Sequence, residues 1–331
     1  MSSLPILLLI FVASIAILVK ASDVFTDAAE KLGIAVGLPP FIVGVTIVSI
    51  GTSLPELISS LLGIFQGAPE IVISNVVGSN IANICLVIGI AAIVNSKGLR
   101  ITYNLVSVDL PLFMGSAFLL VLMAWDQEFS RGESLLLVLG YIMYLFYILQ
   151  TSEIETEQEK ESPSSDAPVL EAEPAHEQGS VATHVLKELL LVVLSSIFIF
   201  LGAHYTIQSL IQISDVLNIG REIIAISAVA LGTSLPELLV TISAARKGKA
   251  EIAIGNVIGS NIFNIFVVVG IPGLIASLPV PESVMRQGMP TFVSASLLMF
   301  FIAHDNKITI WEGWLFLILY AWFIGTVFQL L

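Results

Sequence analysis

The sequence predicts an all-α polytopic membrane protein, with ten transmembrane helices arranged as two inverted five-helix repeats. Three observations carry that reading. Hydrophobic residues make up 56 % of the 331 positions and charged residues only 12 %, where soluble domains carry about 25 % charge. Apolar runs long enough to cross a bilayer recur from end to end, without the strict alternation of a β-barrel. The hexapeptide Gly51-Thr52-Ser53-Leu54-Pro55-Glu56 returns as Gly232-Thr233-Ser234-Leu235-Pro236-Glu237, so the chain is internally duplicated.

Apolar segments compatible with spans cover about 4–20, 40–65, 70–95, 104–125 and 133–150, then 185–209, 222–245, 251–278, 288–303 and 311–330. The first lacks a positive n-region, and Lys20 follows the apolar run, so it reads as a retained helix and not a cleaved signal. Between the halves, residues 151–183 carry nine carboxylates, Glu153 to Glu177, against Lys160 alone, with prolines at 163, 168 and 174. This composition predicts an acidic disordered linker, and it lacks the ligand spacing of an EF-hand. The organisation is therefore a first half over 1–150, containing repeat one at about 40–95. A second half over 184–331 contains repeat two at about 222–278.

The distribution of Lys and Arg sets the orientation. With the N-terminus outside, ten basic residues (Lys20, Lys31, Lys97, Arg100, Lys160, Lys187, Arg246, Lys247, Lys249 and Lys307) fall inside, and Arg131, Arg221 and Arg286 fall outside. Both termini are expected outside and the linker in the cytoplasm. Five spans per half turn the second half upside down relative to the first. Gly51–Ile90 and Gly232–Ile271 align without a gap at 22 identities in 40 positions, and many identities are polar or small residues that apolar composition alone does not favour. Inverted repeats of this kind build transporters whose sites lie near the midplane on interrupted helices.

Each hexapeptide places a glutamate at membrane depth, where a charge is costly and marks a functional site by default. Pro55 has no N–H, so the Gly51 carbonyl loses its helical partner. Gly51 eases the backbone there, and a kink with inward-facing carbonyls is expected. Thr52 and Glu56, four apart, share a face, and Ser53 adds a second hydroxyl. The next helix carries Asn75, Ser79 and Asn83 as one polar stripe, with Gly78 allowing a neighbour to approach. The second half repeats the set as Thr233, Ser234, Glu237, Asn256, Gly259, Ser260 and Asn264. Folded together, the halves would surround one cavity with two carboxylates, hydroxyls, amide oxygens and carbonyls. That donor set is all oxygen and suits a hard cation such as Ca²⁺, with Na⁺ held by carbonyls and hydroxyls. Proton competition at the two glutamates is also physically open. Taken singly, Ser53, Asn75 or Asn256 could equally serve as interhelical bridges, at about 0.6 kcal/mol each.

Other classes fare worse. An enzyme would need a base near Ser53 or Ser234, and no histidine lies near either motif. Two symmetric glutamates also lack the unequal environments an acid/base pair requires. The single cysteine, Cys85, excludes an intramolecular disulfide and a thiolate cluster, and a net charge of −13 gives nucleic acid no footing. Asp109, at the start of the fourth span, reads as interfacial, and Glu70 and Glu251 as N-terminal caps of their helices.

The paired motifs GTSLPE…SNVVGSNIANI and GTSLPE…GNVIGSNIFNI resemble the α-repeats of the calcium/cation antiporter superfamily, closest to the prokaryotic sodium/calcium exchangers. The resemblance implies alternating access, with the first and sixth spans sliding past the helices that carry the repeats. It implies that Glu56 and Glu237 are central ligands shared by Ca²⁺ and Na⁺. Thr52, Ser53, Thr233 and Ser234 would supply hydroxyl and carbonyl ligands around them. Ser79 and Ser260 match ion-site serines, Asn83 matches an ion-site asparagine, and Ser49 and Ala230 fall where the family uses backbone carbonyls for Na⁺. Asn264 departs, standing where close relatives carry an aspartate, which opens the question of the coupling ion. The expected function is therefore Ca²⁺/Na⁺ antiport in a prokaryotic plasma membrane, with a Ca²⁺/H⁺ or K⁺-dependent exchanger as the alternative and a cation channel behind both. No cofactor and no catalytic residue is expected, and the partners are the transported ions and the lipid bilayer, with no protein partner.

Overall fold

A computed structural model of the chain describes residues 4–95, 98–103, 109–161, 181–217 and 234–327. Counting each π-turn within the helix that contains it, these residues form ten helices: α1 (Leu4–Ala35), α2 (Pro40–Phe65), α3 (Glu70–Val94), α4 (Asp109–Met123), α5 (Arg131–Glu161), α6 (Val181–Leu217), α7 (Leu235–Arg246), α8 (Ala250–Ile275), α9 (Met289–Ala303) and α10 (Ile310–Val327). Seven of them are long and apolar enough to cross a membrane; α4, α7 and α9 are shorter. A π-turn, Val284–Gly288, leads directly into α9, and α7 begins at the edge of the described residues.

Two helices outrun their apolar segments. The run at 4–20 is only the first part of α1, whose 32 residues extend about 48 Å, well beyond a hydrocarbon core of about 30 Å. Its second part carries Asp23, Asp27, Glu30 and Lys31. Likewise α5 continues to Glu161, so the acidic stretch expected to be disordered from 151 begins as helix, in keeping with the helix propensity of Glu, Gln and Lys. Residues 162–180 of that stretch lie outside the described residues.

The inversion is visible in four short strands. β1 (Leu99–Arg100) pairs antiparallel with β4 (Lys307–Ile308), and β2 (Glu128–Phe129) with β3 (Leu278–Pro279). β1 and β3 follow the second repeat helix of each half, α3 and α8; β2 and β4 precede the last helix of each half, α5 and α10. A two-fold that exchanges the halves therefore converts one pairing into the other. Each pairing also ties two loops to one face of the protein. The C-terminal end of α1 and the α7–α8 loop share the β1–β4 face, where Lys247 and Lys249 pair with Asp23, Asp27 and Glu30.

The repeat helices occupy the middle. The central apolar stretch of α8 is wholly buried and that of α3 is 78 % buried, against 22 % for α1, α5 and α10. α2 and α8 approach backbone to backbone: a Cβ on Gly255 would lie 2.5 Å from the Phe41 carbonyl, and one on Gly259 2.5 Å from that of Val45. Outside this core α1 and α6 lie side by side and antiparallel. A Cβ on Gly202 would meet Leu18, and one turn on Thr206 Oγ1 donates to Ser14 Oγ at 2.9 Å.

Candidate ion-binding site

The site grows from the middle of α2. Pro55 sits inside an unbroken helix, Ser49–Phe65, and the irregularity lies upstream, in a π-turn over Gly44–Val48. A shift of register thus lies about two to three turns before the proline. Gly51 serves packing: a Cβ there would stand 2.7 Å from the ring of Phe25 on α1. In the second half Pro236 enters α7 within its first turn, where its missing N–H is no loss. Two further π-turns, Ala82–Val87 in α3 and Asn264–Val269 in α8, contain Asn83 and Asn264. Such turns recur at functional sites because they re-aim side chains.

Glu56 and Glu237 are both completely buried and near enough to act on each other electrostatically. Ser53 Oγ donates to Glu237 Oε1 at 2.9 Å, which joins α2 to α7 across the halves. The other three carboxylate oxygens, both of Glu56 and Oε2 of Glu237, have no hydrogen-bond partner among the described residues. Thr52 Oγ1 donates to Asn256 Oδ1 at 3.1 Å and to the Ser49 carbonyl at 3.2 Å, and lies 3.4 Å from Ser260 Oγ. The Ser49 hydroxyl itself donates back to the Val45 carbonyl. Ser79, Asn83, Ser234 and Asn264 are all buried. Ser234 Oγ, both polar atoms of the Asn83 amide and Asn264 Oδ1 lack partners among the described residues. Thr233 and Ala230 lie outside the described residues.

Some expectations change. Asp109, the first residue of α4, is fully buried within the protein; it accepts a hydrogen bond from Tyr144 on α5 at 3.3 Å. Glu251 stands in the first turn of α8, and its Oε1 also accepts from the Thr102 hydroxyl and from the Thr102 and Tyr103 amides at 2.8 and 3.1 Å, holding the loop after β1. Gly78 meets nothing within 4 Å among the described residues, whereas its equivalent Gly259 makes the close approach.

Other residues come into view only with the fold. Asn264 Nδ2 donates to Asn80 Oδ1 at 3.0 Å, and Asn80 Nδ2 to the Asn261 carbonyl at 3.4 Å. The sequence signal was the Ser-Asn pair repeated at 79–80 and 260–261. Asn256 Nδ2 donates to Thr241 Oγ1 at 2.8 Å, a residue without an identical counterpart in the first half.

A buried carboxylate without a partner costs several kcal/mol unless a cation matches it. Among the described residues no histidine, cysteine or third carboxylate joins the pair. The donors on offer are carboxylate, hydroxyl, amide oxygen and carbonyl, which fit hard cations and exclude soft ones.

The sodium/calcium exchanger protein family matches residues 6–150 and 187–329, which takes in both halves and leaves out the acidic stretch. The chain belongs to that family. Sodium/calcium exchanger MaX1 of Methanosarcina acetivorans is 34 % identical over 97 % of this chain and 98 % of its own length. Inner membrane protein YrbG of Escherichia coli is 30 % identical over 80 % and 79 %. Among solved structures, the sodium-calcium exchanger NCX_Mj, soaked with 2.5 mM Na⁺ and 10 mM Sr²⁺, superposes with a TM-score of 0.80 at 29 % identity, over 98 % of this chain and 99 % of that one. This exchanger-family member is thus an integral membrane protein of prokaryotic type, and the likeness holds over nearly its full length.

Proposed function

We propose that the chain is a secondary antiporter that exchanges Ca²⁺ for Na⁺ by alternating access. The observation that carries the reading is the pair Glu56 and Glu237. They are fully buried, come from opposite halves, and have three of four oxygens without a protein partner. Two carboxylates neutralise one Ca²⁺, and the surrounding hydroxyls and carbonyls complete six to eight oxygen ligands. In this reading Thr52, Ser53, Thr233 and Ser234 ligate through hydroxyl or carbonyl, Ser79, Ser260, Asn83 and Asn264 through side-chain oxygen, and Ser49 and Ala230 through backbone carbonyl. One cavity cannot hold Ca²⁺ and a full Na⁺ complement together, so the ions compete. Either load neutralises the glutamates and lets α1 and α6 slide past the core, while an empty, doubly charged site stalls. In this reading the β1–β4 face, with Lys247, Lys249 and the acidic stretch, lies in the cytoplasm and both termini outside, which the distribution of basic residues supports.

The neutral Asn264 favours one second reading, a Ca²⁺ exchanger driven by H⁺ or with K⁺ dependence. Uptake of ⁴⁵Ca²⁺ into proteoliposomes, with Na⁺, K⁺ and H⁺ gradients imposed separately, decides between them. An outward Na⁺ gradient drives uptake if the proposal holds; uptake driven only by a pH gradient replaces Na⁺ with H⁺.

A further inference from the structure

We infer that Thr241, which lies outside the proposed ligand set, is a positioning residue that holds the Asn256 amide so that Thr52 presents its lone pairs to the ion. The inference rests on the proposed ion-exchange function. Thr241 on α7, Asn256 and Ser260 on α8, and Thr52 on α2 form one buried chain of contacts, with exposures of 0, 0, 0 and 1 %. Asn256 Nδ2 donates to Thr241 Oγ1 at 2.8 Å. Its Oδ1 then faces the other way and accepts from Thr52 Oγ1 at 3.1 Å and from Ser260 Oγ at 3.5 Å.

The direction of these bonds matters for a cation. A hydroxyl whose proton is taken by an amide oxygen has lone pairs left for an ion; a hydroxyl that accepts from an amide N–H has spent one of them. With Thr241 in place, the amide nitrogen is satisfied away from the ion ligands. Without that acceptor, the reversed amide becomes the better arrangement, because the nitrogen then finds the oxygens of Thr52 and Ser260, and those are the atoms a cation needs. A buried N–H left without a partner is the costlier alternative.

Among the described residues this anchor is seen in the second half. Ser60, 181 positions before Thr241, is fully buried, yet its Oγ has no partner among the described residues. Among the described residues the Ser60 hydroxyl therefore makes no bond like that of Thr241, and the two repeats differ at this position despite their sequence likeness.

The test is Thr241→Val, which keeps the shape and removes the acceptor, against Thr241→Ser, which keeps the acceptor. In proteoliposomes the Val variant is expected to raise KM for Ca²⁺ about five-fold, the effect of one hydrogen bond, with the saturating rate within about two-fold, and the Ser variant to restore KM. Added to Thr52→Val, the Thr241→Val change is expected to shift KM no further, because it acts through Thr52. An unchanged KM in Thr241→Val, no rescue by Ser, or additive effects in the double variant would overturn the inference. Should Thr241→Val fail to reach the membrane, Asn256→Ala takes its place with the same expected shift, and an unchanged KM there has the same force. Wild-type vesicles run alongside separate the two levels: wild-type protein without Na⁺-driven uptake contradicts the exchanger reading itself. Titration of the purified protein with Ca²⁺ in detergent then still reads the Thr241 effect as a change in binding.

Discussion

Ser53 Oγ donates to Glu237 Oε1 at 2.9 Å, so a hydroxyl from one hexapeptide satisfies the carboxylate of the other. The two copies of the motif lie 181 positions apart in the chain, and this bond is where they meet. A hydrogen bond to a carboxylate contributes about 1.5–3 kcal/mol. Ser53→Ala is expected to raise KM for Ca²⁺ about ten-fold or more, and Ser53→Thr to stay within a few-fold of wild type. Initial rates of ⁴⁵Ca²⁺ uptake across a concentration series read both.

On the β1–β4 face, Lys249 Nζ lies 2.7 Å from both Asp27 Oδ1 and Glu30 Oε2, and Lys247 Nζ 2.8 Å from Asp27 Oδ2. These pairs, with Ser243 Oγ donating to Asp23 Oδ1 at 2.6 Å, tie the end of α1 to the α7–α8 loop. Because α1 is the helix proposed to slide, the cluster holds one position of it. The side chains are 18–45 % exposed, which limits each pair to at most about 1 kcal/mol. Asp27→Asn with Glu30→Gln is expected to change the exchange rate several-fold and to weaken the salt dependence of that rate. Burial alone would lower the Lys249 pKa, but its bonds to Asp27 and Glu30 outweigh burial and leave it raised above the ordinary lysine value. A raised lysine pKa adds stability below its unfolded value that is lost only as pH climbs through the folded one. Lys249 therefore stays charged, and the tie intact on its side, throughout pH 7–9. Cross-linking of a cysteine pair placed in α1 and the α7–α8 loop, followed across that range, checks this.

Gly255 is a packing requirement of the core. A Cβ there would meet the Phe41 carbonyl at 2.5 Å and the Val45 nitrogen at 3.0 Å, both backbone atoms that cannot swing aside. Gly255→Ala is expected to cost about 1–3 kcal/mol by overpacking, seen as a fall of several degrees in melting temperature in detergent. Gly115 meets nothing within 4 Å among the described residues, so Gly115→Ala is expected to be neutral or slightly stabilising in the same assay.

Asn264 tests the driving ion. Its amide nitrogen is held by Asn80 Oδ1 at 3.0 Å. An aspartate there would set oxygen against oxygen, so Asn80 must reverse its amide and give up its 3.4 Å bond to the Asn261 carbonyl. Asn264→Asp is expected to alter the Na⁺ and pH dependence of uptake more than KM for Ca²⁺, and Asn80→Asp alongside it to be poorly tolerated. Uptake profiles at several Na⁺ concentrations and pH values measure the shift.

What was readable in the chain follows from what is costly. Glu56 and Glu237 stood out because a carboxylate at membrane depth needs a reason, and duplication of the hexapeptide showed that the halves must face each other. The strand pairings Leu99↔Ile308 and Phe129↔Leu278 agree with the inversion deduced from five spans per half. Thr241 was not readable and Asn80 only through its repeated Ser-Asn pair, because a single Asn or Thr in a membrane helix is ordinary; the partner, about 15 or 184 positions away, gives it meaning. The charged half of α1 was missed because hydropathy stops at Lys20, while the helix is carried on by acidic residues that match lysines some 220 positions later. The π-turns have no sequence signature of their own, and so the one over Gly44–Val48 was not foreseen.

The most direct test of the ion site is Glu56→Gln, since both oxygens of Glu56 are buried without a partner among the described residues. In sealed proteoliposomes loaded with Na⁺, the wild type is expected to accumulate ⁴⁵Ca²⁺ and the Gln variant to fall to the background of empty vesicles while still folding and reconstituting. Uptake by Glu56→Gln at near the wild-type rate would contradict the account.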